Sequence, residues 1–255
     1  MKKVSVQIAF FTLLMFTVAC AEQKEGNQSA ESSSTENSHS PSAISTPSAD
    51  ILTADERSGM TPDQVIALLD EGNKRFTEGD LTDRDYIAQA KSTAAGQYPM
   101  AVVLGCLDSR VPPELIFDRG IGDLFVGRVA GNFENRDMVG SMEFGTKVAG
   151  AKVIVVIGHT ECGAVKGACD GVELGNLTGT LQNLDAAIAR VDSVEGERSS
   201  KNKAFVQAVA EANVHQTMED ILAQSEVIRE MVKKGDVKIV GGMYDLTTGR
   251  VTWLK

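Results

Sequence analysis

Two apolar runs in this chain end in groups that bind soft metals. VVLGCLDSR (residues 102–110) closes on Cys106, and Asp108 and Arg110 follow at two and four residues. VIVVIGHTECGAV (153–165) closes on His159, with Cys162 three residues later. Two thiolates and one imidazole form a three-ligand zinc set, with a fourth position left for water or a nearby carboxylate. Cys together with His favours zinc over magnesium or calcium. A structural site would need a fourth Cys or His. Cys169 is the spare thiol, on the helix expected after Cys162, while His39 and His215 have no argument for reaching the site. Three ligands and an open position is the catalytic pattern.

Spacing alone leaves two other readings open: a disulfide between Cys106 and Cys162 in an oxidising compartment, or inert buried thiols. Asp108 and Arg110 weigh toward the metal. Two residues apart in a loop, they can pair, so that Arg110 holds Asp108 as an ionised acceptor. Beside a metal, an oriented carboxylate is a device for placing water or steadying a ligand.

The elements that must position these residues follow from periodicity. MAVVLGC and AKVIVVIG are short, apolar and without alternation, as expected of strands covered on both faces of a parallel sheet. DLFVGRVA, DVKIVGGMYDL and RVTWL are three more, and DLTTGR between the last two reads as a hairpin turn, which makes the final strand antiparallel. Helical patterns fall at about 83–96, 137–149, 178–192 and, as one long element, 201–234. The clearest helix is 61–78: Thr61 caps it, Pro62 opens it, Gln64 completes a capping box, and Val65, Leu68, Leu69 and Phe76 share one face. The fold class is therefore α/β, a mostly parallel central sheet flanked by helices with an antiparallel C-terminal edge strand. In such sheets ligands gather beyond the carboxyl ends of the strands, where strand order reverses. Cys106 and His159 both stand at such ends.

The N-terminal stretch is of another kind. Lys2 and Lys3 precede an apolar run that ends at TVAC, an export signal over 1–20. That window also resembles a lipoprotein box, in which Cys20 is lipidated. Residues 21–55 are rich in Ser, Thr, Glu and Asn and form a disordered tether; 56–255 form a single catalytic domain. The net charge of −10 argues against a nucleic-acid partner.

CLDSR and GHTECGAV, separated as here, resemble the β-class carbonic anhydrases, in an exported bacterial form. The similarity extends through GQYPMAVVLGCLDSRVPPELIFDRGIGDLFVGRVAGN, VELGNLTG and GGMYDLTTG, and spans about 62–255. The resemblance implies zinc-dependent reversible hydration of carbon dioxide to bicarbonate and a proton, by attack of zinc-bound hydroxide. It implies Cys106, His159 and Cys162 as ligands of one Zn2+ per chain. Asp108 would accept a hydrogen bond from the bound water and Arg110 would hold Asp108. Gln97 would donate to the substrate oxygen, Phe125 would wall the carbon dioxide pocket, and the Gly163 amide would be a further donor. Phe144 stands where the family often has tyrosine, a difference expected to change rate rather than abolish activity. In the family the pockets lie at a dimer interface, so Gln97 and Phe125 would come from the partner of a homodimer or higher even oligomer.

One subtype closes its site with bicarbonate bound near a tryptophan three residues before the first cysteine. Val103 occupies that position here, so the open form is expected, with Asp108 paired to Arg110. Zinc brings the pKa of bound water toward ~7, the value established for carbonic anhydrase; two thiolates would leave it somewhat higher. The motifs do not separate carbon dioxide from carbonyl sulfide or carbon disulfide as substrate. The chain is expected to be exported, periplasmic or in the cell envelope, and to meet a membrane only through its lipid anchor.

Overall fold

The computed structural model describes residues 47–255. The expected export signal, Cys20 and most of the expected tether lie outside the described residues. The chain's ordered pairing starts before residue 56: the Ser48 amide donates to the Asp83 carbonyl (2.8 Å) and the Ser48 carbonyl accepts from Asp85 N–H (2.9 Å). Thr53 then caps α1 (Ala54–Gly59), with Glu56 closing a capping box.

Helix α2 (Pro62–Glu78) forms as the sequence predicts, with the Thr61–Gln64 box at its start and Gly79 in the left-handed conformation at its end. Val65 and Leu69 are buried, and Leu68 and Phe76 are packed at the margin of the same cluster. After α3 (Tyr86–Ser92) come β1 (Ala101–Cys106), the single turn α4 (Pro113–Ile116) and β2 (Leu124–Val129). Helix α5 (Arg136–Glu143) runs into a π-helical turn, Phe144–Val148, and β3 (Val153–His159) follows. Then come α6 (Gly163–Cys169), α7 (Gly175–Gln182), α8 (Asp185–Arg190), α9 (Lys203–Gln224) and α10 (Glu226–Lys234). β4 (Lys238–Tyr244) and β5 (Val251–Trp253) complete the fold.

The strand order is β2-β1-β3-β4-β5, parallel except for the antiparallel β4–β5 pair. β1 and β3 are fully buried, which is why both read as unbroken apolar runs. One face packs Leu104, Ile154 and Val156 against Phe205, Val209 and Val214 of α9. The other packs Val103, Val155 and Ile157 against Val65 and Leu69 of α2. The chain leaves β1 toward β2 on one side and later resumes at β3 on the other. The strand order therefore reverses between β1 and β3, the two strands that end in Cys106 and His159.

Two expected helices are divided. The 201–234 pattern breaks at Ser225, which ends α9 and caps α10: its hydroxyl accepts from Ile228 N–H (3.0 Å) and donates to the Glu143 carboxylate (2.6 Å). A Ser followed by Glu226 is a start signal that the apolar periodicity overrode. The 178–192 pattern is α7 and α8, split at Asn183–Leu184. The end of the 137–149 pattern is the π turn, where a Cβ on Gly145 would come within 2.5 Å of the Val102 side chain. Glycine there lets the turn pack directly on β1.

Asp118 ties α2 to the loop after α4. Its side chain is wholly buried and takes hydrogen bonds from Arg75 (2.6 Å), Arg84 and the Thr82 hydroxyl (2.8 Å). Burial alone would raise its pKa, but Arg84, Arg75 and Thr82 together bring it down to about 2. Because the folded pKa lies below the unfolded one, the stabilisation is present above about pH 4 and is lost as pH falls toward 2, roughly 2 kcal/mol in size. Asp118→Ala would leave Arg75 and Arg84 without their carboxylate and is expected to destabilise the fold by about 3–5 kcal/mol in urea titration. A change under about 0.5 kcal/mol would contradict this account of the cluster.

Candidate metal centre

In open α/β sheets ligands bind beyond the carboxyl ends of the strands where the order reverses, here between β1 and β3, and the ligand types converge there. Cys106 is the last residue of β1, His159 the last of β3, and Cys162 caps α6. The three-residue turn from His159 to Cys162 requires Glu161 in the left-handed region (φ 56°). The end of β4 secures that turn, since Thr160 N–H donates to the Tyr244 carbonyl (3.0 Å) and the Thr160 hydroxyl accepts from Leu246 N–H (3.0 Å).

The sulfurs of Cys106 and Cys162 are 3.8 Å apart and both thiols are free. A disulfide needs about 2.05 Å, so these cysteines are not bridged. One ligand atom from each of Cys106, His159 and Cys162 lies within 4.8 Å of the others, and all three residues are buried. His159 Nδ1 faces the Thr160 carbonyl at 2.9 Å and so carries the ring proton. Nε2 is then a bare lone pair, buried and without a hydrogen-bond partner. An orphaned acceptor beside two thiols is costly in a folded core, and a cation removes that cost. The spacing also fits zinc: two sulfurs ~2.3 Å from one tetrahedral ion stand ~3.8 Å apart.

Without a cation the two thiols share a proton. The Cys162 hydrogen bond holds Cys106 as the thiolate, down to about 4, against the opposing effect of burial; the amides of Gly131 and Asp108 assist. Cys162 is pushed far up by that same bond and by burial, although the Val165 and Ala164 amides at the start of α6 oppose the shift. A divalent ion would replace the shared proton and let both sulfurs ionise.

Asp108 stands at the edge of this set, 3.9 Å from His159 Nε2. Arg110 grips it with two guanidinium bonds (Nε 2.9 Å, Nη2 2.7 Å) and with its backbone N–H (3.0 Å). The guanidinium hydrogen bond is the main reason Asp108 titrates well below the usual carboxylate range. Asp108 is therefore an acceptor only. Gly163 opens α6 beside Cys162, at a first-turn position whose amide has no intrahelical partner.

The remaining expected pocket residues are elsewhere in the chain. Phe125 pairs in register with Val102, and its ring meets Phe144 with centroids 6.0 Å apart and planes tilted by 57°. Together with Met138 they line a cleft of about 200 Å³ along β1, and none of the three metal-set residues nor Asp108 borders it. Gln97 is exposed and precedes β1, at the opposite end of the strand from Cys106. Val103 is fully buried in the α2-side core. Cys169, at the end of α6, is outside the metal set and its thiol is raised by burial. Sequence reasoning missed the Gly131 amide, 3.5 Å from Cys106 Sγ, and the Thr160 contacts. Gly131 sits at φ 92° after β2, and the Gly-Asn pair there was the available signal.

The family model described as carbonic anhydrase matches residues 101–251, a span that holds all three metal-set residues. Carbonic anhydrase 2 of Mycobacterium tuberculosis (strain ATCC 25618 / H37Rv) is 37% identical over 183 residues, 71% of this chain and 87% of that protein. The carbonic anhydrase of Mycolicibacterium smegmatis is 33% identical over 197 residues, 72% of this chain and 88% of that one. Among solved structures, the β-carbonic anhydrase CafA of Aspergillus fumigatus superposes with a TM-score of 0.59 at 26% identity, covering 76% of this chain and 90% of its own. A structure from a study of two tetrameric β-carbonic anhydrases of Sordaria macrospora gives 0.57 at 28% identity, covering 64% and 84%.

The centre as built is expected to take up a single cobalt(II) ion per chain with intense thiolate-to-metal absorption in the near ultraviolet. His159→Ala and Cys162→Ala should each lower metal affinity by at least about tenfold while the chain stays folded. Parental metal content in both variants after dialysis against chelator would contradict the assignment.

Proposed function

The chain belongs to the β-class carbonic anhydrases, and from that premise we propose how its own residues run the reversible hydration of carbon dioxide to bicarbonate and a proton. The observation that carries the proposal is the bare, buried Nε2 of His159 facing two free sulfurs 3.8 Å apart, beside a carboxylate that arginine keeps ionised. Cys106, His159 and Cys162 would hold the ion, and two sulfurs with one imidazole nitrogen select zinc over hard cations. When bound, zinc supplies Lewis acidity that makes water a nucleophile near neutral pH.

The rest belongs to the protein. Asp108, fixed by Arg110 and unable to donate, would accept a hydrogen bond from the attacking oxygen species and so turn its lone pair toward the substrate. The Gly163 amide can receive an oxygen of the product. Carbon dioxide is apolar with weakly accepting ends, so its pocket needs an apolar wall and a donor, the roles proposed for Phe125 and Gln97. Phe144, tilted against Phe125, extends the wall and offers no hydroxyl.

We place Gln97 and Phe125 in the site of a second copy of the chain. Two observations support this: Gln97 lies at the far end of β1 from Cys106, and the Phe125 cleft is bordered by none of the metal set. Large apolar side chains are exposed nearby on the β1 loop and the π turn: Leu107 at 65%, Phe144 at 54% and Val148 at 71%. Such exposure marks a contact surface, and the Sordaria macrospora relatives are described as tetrameric. A homodimer or higher even oligomer with shared sites follows.

The proposal extends to location. Lys2–Lys3, the apolar run and TVAC support export, with Cys20 lipidated and the polar tether holding the domain off a membrane in the periplasm or cell envelope. No helix among the described residues is long and apolar enough to cross a membrane.

Asp108→Asn should keep its zinc and lose about 100-fold or more in kcat/KM for carbon dioxide hydration; parental activity would remove Asp108 from the mechanism. Mixing that variant with Gln97→Ala, each weakly active alone, should restore about a quarter of parental activity after subunit exchange, because half the dimers then hold one intact shared site. No recovery in demonstrated mixed dimers would contradict the shared site.

A further inference from the structure

Arg128 has a role that neither the motif nor the metal set assigns. It is the fifth residue of β2, paired in register with Gly105 of β1, and its side chain reaches over the carboxyl end of β1. There Nε donates to the Cys106 carbonyl at 2.8 Å and Nη2 donates to the Asp108 carbonyl. The next residue, Val129, accepts Leu107 N–H at 3.1 Å. Two adjacent β2 residues thus hold one backbone group from each of the three consecutive residues Cys106, Leu107 and Asp108.

The chemistry of the grip is specific. Arg128 makes no ion pair among the described residues, so its charge is directed at two carbonyl oxygens rather than a carboxylate. A planar fork with several fixed N–H groups can hold two carbonyls at a set separation; a lysine ammonium is a single point donor on a flexible stem. Arg110 holds the Asp108 carboxylate from outside and is 58% exposed. Its side chain acts on the carboxylate and touches neither carbonyl, so the backbone under Cys106 and Asp108 is placed by other contacts, Arg128 and, at the Asp108 carbonyl, Val111 N–H (3.1 Å); a misplacement of about 1 Å in a reacting group can cost ~100-fold in rate.

We infer that Arg128 is a positioning residue: through the carbonyls of Cys106 and Asp108 it fixes the distance between the first metal ligand and the carboxylate that orients the nucleophile. The inference rests on the functional reading given above. It predicts that the fork, and not the charge, is what matters.

The test uses the full zinc-loaded chain and the variants Arg128→Met and Arg128→Lys. Zinc release to an excess of a colorimetric chelator should be about 10–100-fold faster in both. The near-ultraviolet bands of the cobalt(II) forms should shift, and kcat for carbon dioxide should fall while KM stays within about twofold. Arg128→Lys preserves charge and most of the stem, so it decides the matter if Arg128→Met fails to fold. Parental zinc release and cobalt bands in folded Arg128→Lys would overturn the inference, as would a lowered melting temperature with unchanged release from the folded protein. Zinc release is read without carbon dioxide, so an unaltered chain inactive on carbon dioxide would count against the functional reading and leave this comparison standing.

Discussion

A buried imidazole nitrogen with no partner, facing two thiols 3.8 Å apart, is the constraint on which the rest of the structure turns. Each of these groups is tolerable in a core if it is hydrogen-bonded or protonated. Packed together they are not, because one shared proton leaves the second sulfur unable to ionise and the imidazole lone pair empty-handed. A soft divalent ion satisfies all three at once. The fold can hold such a site open because the strands beneath it are rigid and buried on both faces.

The sheet order makes the convergence possible. With β1 and β3 adjacent and the connections running to opposite sides, the last residue of each strand has no covering crossover. Cys106 and His159 take those two places, and the short turn to α6 returns Cys162 to the same point. The supporting contacts come from every neighbouring strand: Thr160 is tied to the end of β4, and the loop after Cys106 is held by Val129 and Arg128 of β2. Because the same loop carries a metal ligand and the carboxylate acceptor, any motion in it moves both.

Much of this was legible in the chain itself, for physical reasons. A fully buried strand must be apolar throughout, so a run such as AVVLGC shows its end by the residue that breaks the pattern. Thr61, Pro62 and Gln64 announce α2 because helix termini have few ways to satisfy their free amides. The break at Ser225 was masked because apolar residues keep their spacing through α9 and α10, while the capping bonds that divide them involve Glu143, remote in sequence. The Ser48 pairing was hidden in a polar stretch whose composition resembles a tether. The convergence of Cys106, His159 and Cys162 was readable from residue type and spacing. The grip of Arg128 was not, since an arginine in a strand has no local signature and its partners are backbone carbonyls on another strand.

The dyad and the ligand set together assert that the site works open, with Asp108 turned to Arg110 rather than to the ion. The most direct test is stopped-flow hydration of carbon dioxide by the zinc-loaded chain from about pH 6 to 9. This account predicts a fast rate that rises smoothly with pH and levels off, following a single ionisation. Activity confined to the alkaline end, switching on steeply above about pH 8, would mean that Asp108 leaves Arg110 to cap the zinc and would contradict the open site.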